Sequence, residues 1–171
     1  MTDLATLDEH LRAENENDLA SIMATHFADP AVRINRRLFA GAVAVGRFRA
    51  KFGFGGDGAF SEVYVRELRR RAAGRVVVIE QRLSGRHTGT WRDMAPTHRA
   101  FSVPVCTVYS LDEQGALIAE EVYFDSVQIL AQLRGDLGGL SRPLSSYFLF
   151  YSFHPSASRK DGLCTALNNF A

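Results

Sequence analysis

Leu4, Leu7 and Leu11 recur at helical spacing, and the polar stretch Glu14-Asn15-Glu16-Asn17 breaks the pattern after them. Asn17 or Asp18 is placed to cap a second helix with Leu19, Ile22 and Met23 on its buried side. Asp29-Pro30 is expected to end that helix, because proline cannot continue the hydrogen-bond ladder. A short strand over Ala31–Asn35 and a third helix from Gly41 to Phe52 follow, the latter with Val45, Phe48 and Phe52 as its apolar stripe.

From residue 60 onward the period changes to two. Phe60–Arg71 and Arg75–Thr90 read as strands joined by Ala72-Ala73-Gly74, and Arg99–Leu111 and Ala116–Asp125 as strands joined by Asp112-Glu113-Gln114-Gly115. A final helix begins at Ser126-Val127 and runs to Leu133, with Asp125 at its junction with the strand. Helices first and a meandering sheet afterwards predict an α+β fold. In the second of these strands Val77, Ile79, Gln81, Leu83, Gly85 and His87 share one face, which is therefore the inner one. In the last strand both faces carry apolar groups, so alternation alone does not orient Asp125.

A concave sheet closed by helices makes a cone with a pocket at its wide end, apolar with a few orienting polar groups. Tyr64, Trp91, Phe101, Tyr109 and Tyr123 are its aromatic lining candidates.

Composition narrows the classes. The apolar fraction of 46% and the charged fraction of 23% are ordinary for a globular domain of 171 residues. A formal net charge of +1 gives no global field toward nucleic acid or anionic membrane, and Arg69-Arg70-Arg71 reads as a solvated strand end. The chain opens on acidic and helix-forming residues, so no secretory signal is predicted. The longest apolar cluster, Tyr147–Tyr151, is too short to span a bilayer. Cys106 and Cys164 have no metal-ligand spacing with the histidines and read as reduced thiols of a cytoplasmic protein. Gly53-Phe54-Gly55-Gly56-Asp57-Gly58 matches G-x-G-x-x-G in letters, but a helix precedes it and a strand follows, the reverse of a dinucleotide site.

Two segments carry more information together than apart. Gly85-Arg86-His87-Thr88-Gly89-Thr90-Trp91 is followed by Pro96-Thr97-His98-Arg99, the Gly115 turn, Asp125, and Gln132-Leu133-Arg134-Gly135. In order and spacing this resembles the SnoaL-like polyketide cyclases of the nuclear transport factor 2-like superfamily, over roughly residues 4–134. Two departures are visible: His98 stands where the pattern has glycine, and Arg134 separates Leu133 from the terminal glycine.

The resemblance implies a cystatin-like roll, a cone-shaped curved sheet of mixed or antiparallel strands packed on N-terminal helices. It implies a SnoaL-like domain over residues 1–135 and an extension of uncertain structure over 136–171. It also implies that Asp125 is the general acid/base removing a proton alpha to a carbonyl in an aldol closure or related isomerisation or dehydration. His87 would orient Asp125 or donate to the enolate. Trp91, Tyr64, Tyr123, Phe101 and Asn35 would contact a hydrophobic small molecule, with no metal or organic cofactor and a homodimer as the assembly. Two structural readings compete: Asp125 directly precedes a helix and fits a cap, and His87 fits a buried histidine bonded to backbone. The alternative function is a non-catalytic ligand-binding or dimerisation module of the same fold.

Overall fold

The computed structural model describes residues 4–136, the side chain of Phe27 excepted. These lie in the first of two units into which the chain divides, Met1–Gly139 and Leu140–Ala171. The aromatic block at 147–153, Cys164 and all of the expected extension but Asp136 fall outside the described residues.

Helix α1 spans Ala5–Asn15 and α2 spans Leu19–Ala24. Asp18 caps α2, its carboxylate accepting from the Ser21 backbone N–H at 3.1 Å. Strand β1, His26–Ile34, begins earlier than the proline suggested, and Asp29-Pro30 lies within it. Pro30 is tolerated because the β1 ladder is irregular between His26 and Ala31, so no ladder bond needs its missing N–H. A four-residue strand absent from the sequence reading, β2 (Arg37–Ala40), pairs back on β1. Helix α3 covers Ala42–Phe52. Then come β3 (Phe60–Ala73), β4 (Val76–His87), β5 (Ala100–Leu111), β6 (Leu117–Phe124) and helix α4 (Ser126–Arg134).

The sheet has six strands in the order β2-β1-β6-β5-β4-β3, curved and unclosed. All neighbours are antiparallel except β1 and β6, which run parallel, so the α+β expectation holds with a mixed sheet. In β4, Val77, Ile79, Gln81, Leu83, Gly85 and His87 are all buried, as alternation predicts. β5 repeats this with Phe101, Val103, Val105, Thr107, Tyr109 and Leu111.

In β6 the parity switches. Leu117 pairs with Leu111, but Ala119 pairs with Ser110, so one extra residue is absorbed between them. Leu117 is therefore buried, and beyond the bulge the even residue Glu120 is buried instead. This slip decides which acid faces the interior.

Alpha helix α4 ends on Gly135 in the left-handed region, φ +81°, where a side chain is strained and glycine is not. Arg134 is thus accommodated as the last helical residue. The Gln132 side chain works like a neighbouring strand, accepting from Ser102 N–H at 2.8 Å and donating to its carbonyl at 3.2 Å.

Candidate functional site: a cavity with an ionic floor

A cavity of ≈ 840 Å³ is lined by residues of α3, the β1–β2 hairpin and the inner face of the sheet. Phe39, Phe48, Phe52, Phe54, Trp91 and Phe124 give it an aromatic wall. Phe39 and Phe48 stack with ring centroids 4.4 Å apart, and Phe52 and Phe54 at 5.8 Å. An apolar wall of this kind fits a flat hydrophobic ligand.

The buried polar lining is centred on Arg49, which is 2% exposed. Its Nη1 donates to Glu14 Oε1 at 2.6 Å, its Nη2 to Glu120 Oε2 at 2.5 Å, and Nη2 also lies 3.2 Å from His10 Nε2. Glu14 and Glu120 are both buried and both line the cavity. The histidine tautomer follows from the network. The single O–H of Thr25 donates to Ile22 O at 2.7 Å, so His10 Nδ1, 2.7 Å from that hydroxyl, is the donor to it. His10 Nε2 then presents its lone pair to Arg49. Beside the floor, Thr107 Oγ1 donates to Gln81 Oε1 at 2.8 Å. Gln81 Nε2 has no hydrogen bond of normal geometry, although the amide is close enough to act electrostatically on the Tyr109 hydroxyl.

Two carboxylates around one guanidinium are not equivalent. Burial opposes ionisation of Glu14, but the Arg49 guanidinium outweighs it and holds its pKa down to about 2. Burial pushes Glu120 upward, Arg49 opposes without reversing the direction, and the charge on Glu14 reinforces it. Environments that drive two neighbouring acids apart in this way are characteristic of acid/base sites, and also of structural ion clusters.

Among the residues expected at the site, Trp91 and Asn35 line the cavity. Asn35 Oδ1 accepts from Phe124 N–H at 3.1 Å and so also fastens the end of β6. Phe101 is 2% exposed and packs against Phe60 in the core at 4.9 Å, away from the cavity lining. Tyr64 and Tyr123 are on the outside, 51% and 43% exposed. Tyr123 faces out with the odd residues beyond the β6 bulge, and its hydroxyl donates to Glu121 at 2.5 Å.

Asp125 is exposed and caps α4, accepting from Val127 N–H at 2.8 Å and from Gln128 N–H at 3.4 Å. It is not among the residues lining the cavity. His87 is fully buried at the end of β4, its ring 5.6 Å from Phe60. The Thr97 N–H donates to His87 Nδ1 at 3.2 Å, so the ring proton is on Nε2, and the imidazole pins the Pro96-Thr97 turn. Burial, and secondarily His98, keep its pKa below the ordinary histidine value, against a raising contact with Gly89. Strand register keeps these two expected partners apart. Phe124 pairs with Val105 and Arg82 with Pro104, which puts position 125 level with Arg82. His87 is five residues further along β4, roughly 15 Å at the strand rise.

Glu120, Glu14 and Arg49 were missed as functional candidates. Glu120 and Glu14 look like solvated acids in sequence, and Arg49 sits among other cations on α3. The available signal was on α3 itself, where Arg49 lies one helical turn beyond Val45 on the buried face.

Among the described residues, His10, His26 and Glu120 offer metal-donor atoms within 4.8 Å of one another. The His10 Nε2 lone pair and Glu120 are, however, both engaged by the Arg49 guanidinium. A fixed positive charge thus borders the position a cation would take, and the cluster is better read as an ion-pair network.

Comparison with known proteins agrees with this architecture. The profile of the SnoaL-like polyketide cyclases matches residues 13–133. No curated protein matches the chain. A protein described as a SnoaL-like polyketide cyclase from Jannaschia sp. CCS1 superposes with a TM-score of 0.64 at 18% identity, covering 75% of this chain and 90% of that one. A protein of ketosteroid isomerase-like fold from Catenulispora acidiphila gives 0.64 at 18%, covering 78% and 95%. The epoxide hydrolase/cyclase-like enzyme SalBIII, of pyran ring formation in salinomycin, gives 0.59 at 14%, covering 72% and 90%. At these identities the structures share the nuclear transport factor 2-like fold. With the profile spanning most of its length and the cone's elements in place, the chain belongs to the SnoaL-like polyketide cyclase family.

Proposed function

We propose that this protein is a small-molecule acid/base enzyme acting on a flat, hydrophobic, carbonyl-bearing substrate within the aromatic cavity, with Glu120 as the group that takes and returns the proton. The observation that carries the proposal is the ionic floor, where a buried carboxylate of raised pKa meets a cavity large enough for a polycyclic ligand. A carboxylate made more basic by burial is suited to removing a proton alpha to a carbonyl. Arg49 keeps Glu14 ionised and orients Glu120. The Gln81 amide, its oxygen held by Thr107, is available to donate to an enolate oxygen. The aldol closure, isomerisation or dehydration expected from the family resemblance all begin with this proton transfer. The epoxide hydrolase/cyclase-like description of SalBIII points to a related use of the fold.

The family's aspartate position, Asp125, acts in this proposal as the cap of α4. A catalytic role for it would require the carboxylate to leave two backbone N–H groups. That capping geometry also favours a second reading, a binding module without turnover. A homodimer through the outer sheet face accompanies either reading, supported by the exposed apolar groups Tyr64, Leu68, Val76, Ile118 and Tyr123. A cytoplasmic setting is part of the same proposal and fits the free Cys106 thiol. No described helix is long and apolar enough to cross a membrane.

The test is proton exchange alpha to the carbonyl of a tetralone in D2O, followed by NMR with the full chain. Wild type should accelerate exchange, and Ala44→Trp, which fills the cavity from α3 without touching its floor, should abolish the acceleration. Binding without any exchange would leave the module reading.

A further inference from the structure

The cations of the cavity lining are distributed unevenly, and the bias has a chemical meaning. Arg36, Arg37, Arg47, Lys51 and Arg92 line the cavity as exposed residues, in addition to the buried Arg49. Among the described residues the only acids in the lining are Glu14 and Glu120, and both are already engaged by Arg49. None of the five exposed cations has an ion-pair partner among the described residues. Away from the cavity Arg12, Arg69, Arg70, Arg75 and Arg86 are paired with acids, whereas Arg66, Arg71, Arg82, Arg99 and Arg134 have no ion-pair partner among the described residues but are scattered outside the lining. Among the described residues the five exposed lining cations thus gather around one opening with no acid paired to them.

Their placement is orderly. Arg36 comes from the β1–β2 turn, Arg37 from the start of β2 and Arg92 from the loop after β4, and Arg47 and Lys51 are one helical turn apart on α3. The Arg37 guanidinium lies 4.9 Å from the Phe39 ring centroid and that of Arg92 5.0 Å from Trp91. Both aromatics belong to the cavity wall, so these two charges are held against it. A cleft lined by one sign of charge focuses its field on the ligand that enters.

We propose that the cavity mouth is a recognition site for an anionic group, a carboxylate or phosphate, carried by the otherwise apolar substrate. The flat body rests on the aromatic wall, and the anion is held at the rim by the arginine forks, whose planar donors match both oxyanions. This deepens the proposed function and rests on its reading of the cavity as the ligand site.

The chain's single tryptophan, Trp91, lies in the wall and reports occupancy by fluorescence quenching. The full chain is titrated with an anthraquinone carboxylate, an anthraquinone phosphate ester and the neutral anthraquinone carboxamide. At low salt at least one anion should bind about tenfold tighter than the carboxamide, as expected when several weak surface pairs act together. Which anion binds better identifies the group. The preference should vanish in about 1 M salt, where screening acts within roughly 3 Å. It should also shrink severalfold in the double variant Arg47→Gln with Lys51→Gln, read as the ratio of anion to carboxamide affinity within that variant. Equal binding of anions and carboxamide overturns the inference and leaves the proposed function standing. Failure of all three to bind, together with failure to exchange tetralone protons, overturns both.

Discussion

Arg49 Nη2 and Glu120 Oε2 are 2.5 Å apart, a contact that locks α3 to β6 beneath the cavity. Because Arg49 also holds Glu14, its removal strands two buried carboxylates at once. Arg49→Met should therefore cost about 3–5 kcal/mol of stability, the range for breaking a buried pair from one side. Arg49→Lys should recover only part of this, since an ammonium cannot reproduce the two-armed geometry. Urea denaturation midpoints of the three proteins test both statements.

Asp125 separates cap from catalyst through two substitutions. Asparagine caps a helix about as well as aspartate, whereas alanine loses about 1 kcal/mol. Asp125→Asn should melt with the wild type, and Asp125→Ala should be destabilised by that amount. Thermal melts of the pair decide how much of this position is devoted to α4.

His26 makes the fold acid-sensitive. Burial, then the positive charge of Arg49, lowers its pKa from 6.5 to about 3, and its ring nitrogens lack hydrogen bonds of normal geometry. With the folded value depressed, the unfolded chain binds the proton first. Stability is then fully present above pH 6.5 and falls as pH drops, by roughly 1.4 kcal/mol per unit from this group, until about pH 3. His26→Phe should flatten the stability–pH curve between pH 6.5 and the carboxylate range, whatever its effect on absolute stability. Chemical denaturation across pH provides the slopes, and equal slopes in both proteins would contradict the assignment.

His98, where the family pattern has glycine, adopts φ +56° and still makes the turn, its N–H donating to His87 O at 2.9 Å. A side chain there carries roughly 1–2 kcal/mol of backbone strain. Glycine removes the strain but adds chain entropy. His98→Gly should consequently be neutral or stabilising by up to about 1 kcal/mol, measured by thermal melt, with no change in ligand binding.

The sequence reveals the cone more readily than its contents. Period-two alternation in β4 is clean, so the inner face and His87 upon it were legible from letters alone. The order of the helices and long strands followed from the change of period near residue 60, and the resemblance named the roll that they form. β2 escaped notice because four residues carry too little pattern, and Pro30 looked like a boundary because a ladder irregularity is not written in composition. The acid of the interior was illegible for a similar reason. The bulge between Leu117 and Ala119 shifts parity by one, exchanging Glu120 for its neighbours, and no local feature announces it. Nor does a sequence show that Glu14, Arg49 and Glu120, far apart in the chain, meet under one cavity.

The most direct measurement compares alpha-proton exchange of the tetralone by wild type, Glu120→Gln and Asp125→Asn, with Trp91 quenching as the control for binding. Glutamine at 120 still accepts a hydrogen bond from Arg49 but has no basic oxygen. Glu120→Gln should lose at least about 100-fold in exchange rate, the lower range for a positioned base, while keeping its affinity. Asp125→Asn should stay within a few fold of wild type. The opposite result, exchange abolished by Asp125→Asn and retained by Glu120→Gln, would return the chemistry to the helix cap and contradict the account.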